Sequence, residues 1–152
     1  MTKNLIEIKI DDSELNALLS TVRRKFSDLT PLTADVSVRM LSAVHENFEK
    51  EGRPPWDSLA ESTKEQRRKK GHANAPILNI HGSSGLLGSV QPDYSDNYAS
   101  VGSNKVYAAI HQLGGMAGPG RSVEIPARPF LDLTEEDMQE IIDIITGYLS
   151  DV

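Results

Sequence analysis

Apolar residues recur along this chain at two spacings. Over residues 5–10, Ile6, Ile8 and Ile10 alternate with Glu7 and Lys9. A period of two sends neighbouring side chains to opposite faces and predicts a half-buried strand. From Leu15 the spacing changes to three and four. Leu15, Leu18, Leu19, Val22 and Phe26 fall on one helical stripe, which Asp11, Asp12 or Ser13 is placed to cap. A second helix is predicted with Thr30 as N-cap and Pro31 at its first position. Leu32, Val36, Met40, Val44 and Phe48 follow at steps of four. Residues 36–40 also alternate as a strand would, but the helical pattern runs on to Phe48. Asp35 with Arg39, and Glu46 with Lys50, stand at helical ion-pair spacing. Gly52, ahead of Pro54 and Pro55, stops the helix.

The middle of the chain is less regular. Pro54, Pro55 and Trp56 make a rigid extended entry, residues 58–70 read as a polar helix, and residues 71–76 as a mobile loop. Strands are predicted near 89–94 and 98–101, with residues 95–97 as the hairpin turn. A short helix over 106–113 ends at Gly114 and Gly115. A glycine-rich stretch follows, residues 114–121 reading as a second mobile loop, and then a strand over 122–125 closed by Pro126 and Pro129. The last helix is the clearest. Thr134 caps it, Asp137 takes the capping-box position, and Glu135, Glu136 and Asp137 meet its positive end. Met138, Ile141, Ile142, Ile145, Tyr148 and Leu149 form its apolar stripe. The expected fold is α+β: a small antiparallel sheet packed with amphipathic helices, in a single domain spanning residues 1–152.

Composition narrows the function classes. The chain is 38% hydrophobic and 25% charged over 152 residues, enough to bury a core. Aromatics supply only 5%, so that core is mainly aliphatic. A formal charge of −6 argues against a surface built throughout to hold nucleic acid or anionic membrane. With no cysteine, disulfides and thiolate metal sites are excluded. Residues 1–10 lack the apolar core of a signal peptide, and no apolar run approaches the ~18 residues of a membrane span. The expectation is a protein made in the cytoplasm and leaving it only as part of something larger.

Catalytic motifs are missing. His45, His72, His81 and His111 show no zinc-ligand spacing, so no metal and no cofactor is expected. The glycine-rich stretches at 82–85 and 114–120 lack the phosphate-loop pattern. Ser89 and His111 invite a hydrolase reading, without a nucleophile elbow to support it. The basic run Arg67, Arg68, Lys69 and Lys70 is more informative. Residues 53–72 hold six basic and three acidic side chains, a local +3 in an acidic protein. Either it contacts phosphates or an acidic protein face, or it is a solvated helix end whose cations answer the negative C-terminus.

Taken in order, several segments resemble the phage Mu-like virion morphogenesis family, also described as tail-completion proteins. They are Gly52, Arg53, Pro54, Pro55 and Trp56, then Leu59 and Thr63 leading to Arg67–Gly71. Ile77 and Leu78 follow, then Gly85, Leu86 and Ser89, then residues 100–104. Residues 107–112 precede Gly114 and Gly115, and residues 125–131 come before the terminal helix. The resemblance covers roughly residues 48–150. Leu113 stands where the family often has an aromatic, and residues 82–87 look enlarged.

The resemblance implies a structural, non-enzymatic component that finishes a phage tail and prepares it to join the DNA-filled head. It implies a ring-like homo-oligomer, six-fold as phage tails are, touching tail-tube and head–tail connector proteins. DNA would at most pass through its channel, and no membrane is involved. The protein would be assembled in the bacterial host cytoplasm and end in the virion. The alternative is a nucleic-acid-binding module using residues 67–70. Candidate interface residues are Trp56, Arg67, Arg68, Lys69, Lys70, His111, Gln112, Arg128 and Phe130. Pro126 and Pro129 stiffen a strut from which Arg128 and Phe130 project toward a neighbour. Otherwise Phe130 plugs the core and Arg128 pairs with a carboxylate of its own subunit. Trp56 is an interface anchor or a cover over Phe48. His111 and Gln112 serve the helix end or recognition.

Overall fold

The steps of four bring Leu32, Val36, Met40, Val44 and Phe48 onto one line of a helix, Thr30–Glu49, and all five are buried. Val38, which a strand would set beside Val36 and Met40, is 59% exposed. The computed structural model describes residues 6–9, 13–25 and 28–150. In chain order its main elements are β1 (Ile6–Lys9), α1 (Ser13–Lys25), α2 (Thr30–Glu49), α3 (Glu61–Lys69), α4 (Leu86–Ser89), β2 (Val90–Tyr94), β3 (Ala99–Ser103), α5 (Ala108–Leu113), β4 (Gly115–Ala117), β5 (Val123–Ile125) and α6 (Glu135–Ser150).

β3 is the middle strand of an antiparallel sheet ordered β1-β3-β2. Ser100, Val101, Gly102 and Ser103 are all buried there. Pro92 lies on the edge strand β2, where a missing N–H is tolerated. α2 packs on β2 and β3 and also on α6, so its helix surface is covered from two directions. The thickest part of the core joins Leu32, Met40 and Phe48 of α2 to Val101, Phe130, Leu131, Ile141 and Ile145. Phe48 touches the two other aromatic rings buried among the described residues: it meets Trp56 edge-on at 5.8 Å and Phe130 at 5.5 Å. The α+β class expected from the sequence is the one observed.

Local differences have local causes. Thr30 is the first helical residue, not the cap. The Asp28 carboxylate accepts from its N–H at 2.9 Å and its hydroxyl at 2.7 Å, satisfying a donor the helix leaves free. Asp35 does not take Arg39, which reaches Asp137 and Glu140 instead; Glu46 and Lys50 do pair, at 2.7 Å. α5 begins at Ala108, two residues later than predicted, and Ser89 closes the short α4 before β2 begins. Residues 115–117, expected inside a loop, are a strand paired with β5. Three-residue strands between glycines are too short to show a period. The expected caps Asp11 and Asp12, and the Val22 and Phe26 side chains, lie outside the described residues.

Phe48→Ala should therefore cost about 3–5 kcal/mol, as expected for an enclosed ring truncated in a core. Val38→Ala on the same helix should cost within about 0.5 kcal/mol. Urea unfolding of the two variants beside the parent separates these outcomes.

Candidate functional site

The start of the C-terminal helix is tied to the rest of the chain through a buried carboxylate. Asp137 closes the capping box: its Oδ2 accepts from the Thr134 N–H at 2.9 Å, and its own N–H donates to Thr134 Oγ1 at 3.1 Å. Its side chain is only 1% exposed, yet two arginines reach it. Arg39 Nη2 donates to Oδ1 at 2.9 Å and Arg53 Nη2 to Oδ2 at 2.8 Å. Burial pushes the Asp137 carboxyl up, but hydrogen bonds with Thr134 and Arg53, and the Arg53 charge, hold it below its ordinary value.

Arg53 extends the network into α2. Its Nε donates to Asn47 Oδ1 at 2.7 Å and its Nη2 to the Ala43 carbonyl at 2.9 Å. The bend that aims it depends on Gly52, at φ +104°, where a Cβ would lie 2.6 Å from Pro54 O and Trp56 N. Asn47 then passes the contact on, its Nδ2 donating to the carbonyls of Phe130 and Asp132 at 2.9 and 2.8 Å.

Residues 126–132 belong to no helix or strand, so their backbone groups need side-chain partners. Each wall supplies one. Trp56 Nε1 donates to Pro129 O at 3.0 Å. Gln112 Oε1 accepts from both Phe130 N and Leu131 N at 3.0 Å. Arg128 donates outward from the segment to the carbonyls of Asp57 and Ser58, both at 3.0 Å, and its N–H donates to His111 O at 2.7 Å. The segment is stiff because α2, α5 and residues 52–58 all hold it.

This settles where the nine sequence candidates sit. Phe130 is fully enclosed and Arg128 is 6% exposed, so neither projects from a strut toward a neighbour. The partners of Arg128 are backbone carbonyls, where a carboxylate was the expected alternative. Trp56, 8% exposed, covers Phe48. Gln112 is spent on the backbone of residues 130 and 131. His111 is half-buried beside the Tyr107 ring, and its Nδ1 has no partner. Burial, and secondly the charge of Arg128, lower the His111 pKa and favour the neutral ring.

The basic run is divided. Arg67 turns inward, its Nη1 donating to Ala75 O and Pro76 O at 2.8 and 3.1 Å, so the 71–76 loop is fastened to α3. Arg68 and Lys69 share Glu65 at 2.7 and 3.8 Å, and Lys70 is exposed. Ser89 and His111 are not brought together: Ser89 Oγ bonds Leu86 O and Ser103 Oγ. Among the described residues no group of His, Asp or Glu is arranged to hold a metal ion.

One exposed surface was read from the sequence only in part: the strand expected over residues 122–125 is β5, while its partner β4 lies where a loop was expected. β4 and β5 pair only with each other, in the register Gly115↔Ile125, Met116↔Glu124 and Ala117↔Val123. None of residues 115–125 is buried. They form an arm carrying Met116 and Val123, each 50% exposed, beside Leu113 at 73%.

Comparison with known proteins places these features in a family. The profile of the phage virion morphogenesis family matches residues 10–150. The chain is 39% identical over 145 residues to Mu-like prophage FluMu G protein 2 of Haemophilus influenzae, covering 95% of this chain and 96% of that one. FluMu G protein 1 of the same organism is 34% identical over 156 residues, at 97% of each chain. The putative capsid assembly protein G of Escherichia phage Mu is 36% identical over 120 residues, 76% of each. No solved structure matches.

Two variants test the clamp. Because the Asp137 carboxyl is lowered in the folded chain, its contribution is complete above the ordinary carboxylate range, near pH 4. It is lost as pH falls through the lower folded value. Asp137→Asn should lower stability at neutral pH by about 3–5 kcal/mol and flatten the loss of stability below about pH 4. Urea midpoints measured down the acid range give both numbers. Arg128→Ala strips two carbonyls of a buried donor and should cost about 1–3 kcal/mol; an unchanged melting curve would contradict the assignment.

Proposed function

We propose that this chain, which belongs to the phage virion morphogenesis family, is a non-catalytic structural component that completes the phage tail and prepares it to join the head. It acts as a homo-oligomeric ring at the head-proximal end of the tail, between tail-tube and connector proteins, and DNA passes through without being held. The observation that carries the reading is the family match over residues 10–150. The way the chain spends its polar side chains adds support. Asn47, Arg53, Trp56, Gln112, Arg128 and Asp137 are committed to holding the chain's own backbone and helices. A subunit stacked in a particle needs that stiffness, because preorganised surfaces lose less freedom on association. The phage Mu relative is described as a capsid assembly protein, a role in particle building that agrees with this one at its coarser level.

The division of the basic run weakens the alternative of a nucleic-acid module. With Arg67 facing inward and Arg68 and Lys69 sharing Glu65, few free cations remain to release counterions from DNA.

Removing the gene from a prophage that carries it should leave heads and tail tubes that form but fail to join, or tails of irregular length. Electron microscopy of the lysate reads this directly, and infectious particles at normal yield would overturn the proposal. The purified chain should bind duplex DNA weakly at physiological salt. Tight binding that falls steeply with added salt would instead support the nucleic-acid module.

A further inference from the structure

A cavity of about 390 Å³ lies between the end of α3, residues 78–86 and the start of α5. Leu78, Ile80 and Leu86 give it apolar walls, Arg67 and His111 line it, and His81 stands exposed at its edge. Its polar groups are unbalanced. Arg67 is 8% exposed, and its Nε has no hydrogen-bond partner; nor has His111 Nδ1. Among the described residues neither Arg67 nor Arg128 forms an ion pair. Arg128 adds its positive charge to that of Arg67, while Glu51, engaged with Ile77 N, and Asp57 answer them only from a distance. A largely buried guanidinium that lines a cavity with no carboxylate paired to it is costly, so the site is chemically suited to a carboxylate carried on an apolar support.

The exposed arm presents that combination. Met116 and Glu124 are cross-strand partners and so lie on the same face of the β4–β5 ribbon. Glu124 is the arm's single acid, while Arg121 stands at the tip outside the paired strands. An isolated two-stranded ribbon is at best marginally stable in water, and among the described residues this one pairs with no further strand. None of residues 114–125 lines the cavity of its own chain.

We propose that the cavity receives the arm of a second copy, with Met116 against its apolar wall and the Glu124 carboxylate on Arg67 and His111. The contact joins two different surfaces and so repeats head to tail, closing into a ring if the rotation allows. It rests on the homo-oligomeric reading above and assigns that oligomer its interface.

The cysteine-free chain allows a clean trap. Val123→Cys, next to Glu124 on the arm, and His81→Cys, both at exposed positions that leave the Glu124 carboxylate in place, are made as separate variants and expressed together in a deletion strain. The particles are mildly oxidised and run on non-reducing gels. A dimer should appear only when both variants are present, and the double variant on one chain should give a ladder. Val38→Cys, exposed on α2, paired with Val123→Cys should give no dimer. Glu124→Lys should melt as the parent does but fall about tenfold or more in rescue of the deletion strain. Absence of the mixed dimer, equal trapping at Val38, or full rescue by Glu124→Lys would overturn the contact. Those results leave tail completion standing if the unsubstituted chain still restores joined particles; normal particles without any copy of the chain would remove both.

Discussion

The structure hangs on the Asp137 carboxylate. A buried carboxylate without partners would cost several kcal/mol in lost hydration, and this one is made tolerable by two guanidinium groups and a helix start. Its partners come from separate parts of the chain: Arg39 from the middle of α2, Arg53 from the bend after α2, and Thr134 from the start of α6. Three elements are thereby fixed relative to one point. Apolar packing alone would allow them to slide, since burial has no direction. The Arg53 fork also reaches Asn47 and the Ala43 carbonyl, so the same contact fixes the geometry from which residues 126–132 are held.

That arrangement explains why the segments carrying the family resemblance lie so far apart in sequence. Residues 52–58, 107–112 and 125–131 meet in space: Trp56 donates to the Pro129 carbonyl, Gln112 accepts from the Phe130 and Leu131 N–H groups, and Arg128 donates to the carbonyls of Asp57 and Ser58. Their side chains serve the scaffold. The contact proposed for assembly lies instead on surfaces the scaffold presents: the β4–β5 arm, launched where Gly114 at φ +72° leaves α5 close against Ala127, and the basic cavity beside α5.

Much of the fold was legible where a pattern is long or chemically closed. The five apolar residues of α2 at steps of four are such a pattern, and the Thr134–Asp137 box is a closed local exchange. The site was less legible because its contacts are distant. Arg39 stands four residues from Asp35, and helical spacing suggests that pair, but the buried Asp137 wins because an ion pair strengthens as water is excluded. The Arg53 contact spans 84 residues and leaves no periodic trace. Arg128 and Phe130 share a rigid segment, and nothing in the sequence says which way it faces; only the packing against Phe48 and the carbonyls of residues 57 and 58 decides it. Of the arm, β5 was legible as the strand expected over residues 122–125, but its partner β4 escaped notice because three residues hold less than two periods of alternation.

The separation between a rigid scaffold and an assembling arm can be measured by shortening the arm. Replacing residues 116–124 with two glycines keeps the Gly115 and Ile125 pair at its base and leaves every clamp residue in place. The shortened chain should melt close to the parent, since none of the removed side chains is buried. Counted by electron microscopy in a deletion strain, heads joined to tails should fall to the level seen with no copy of the chain. Joined particles at the parental level would contradict the division of roles and return assembly to some other face of the molecule.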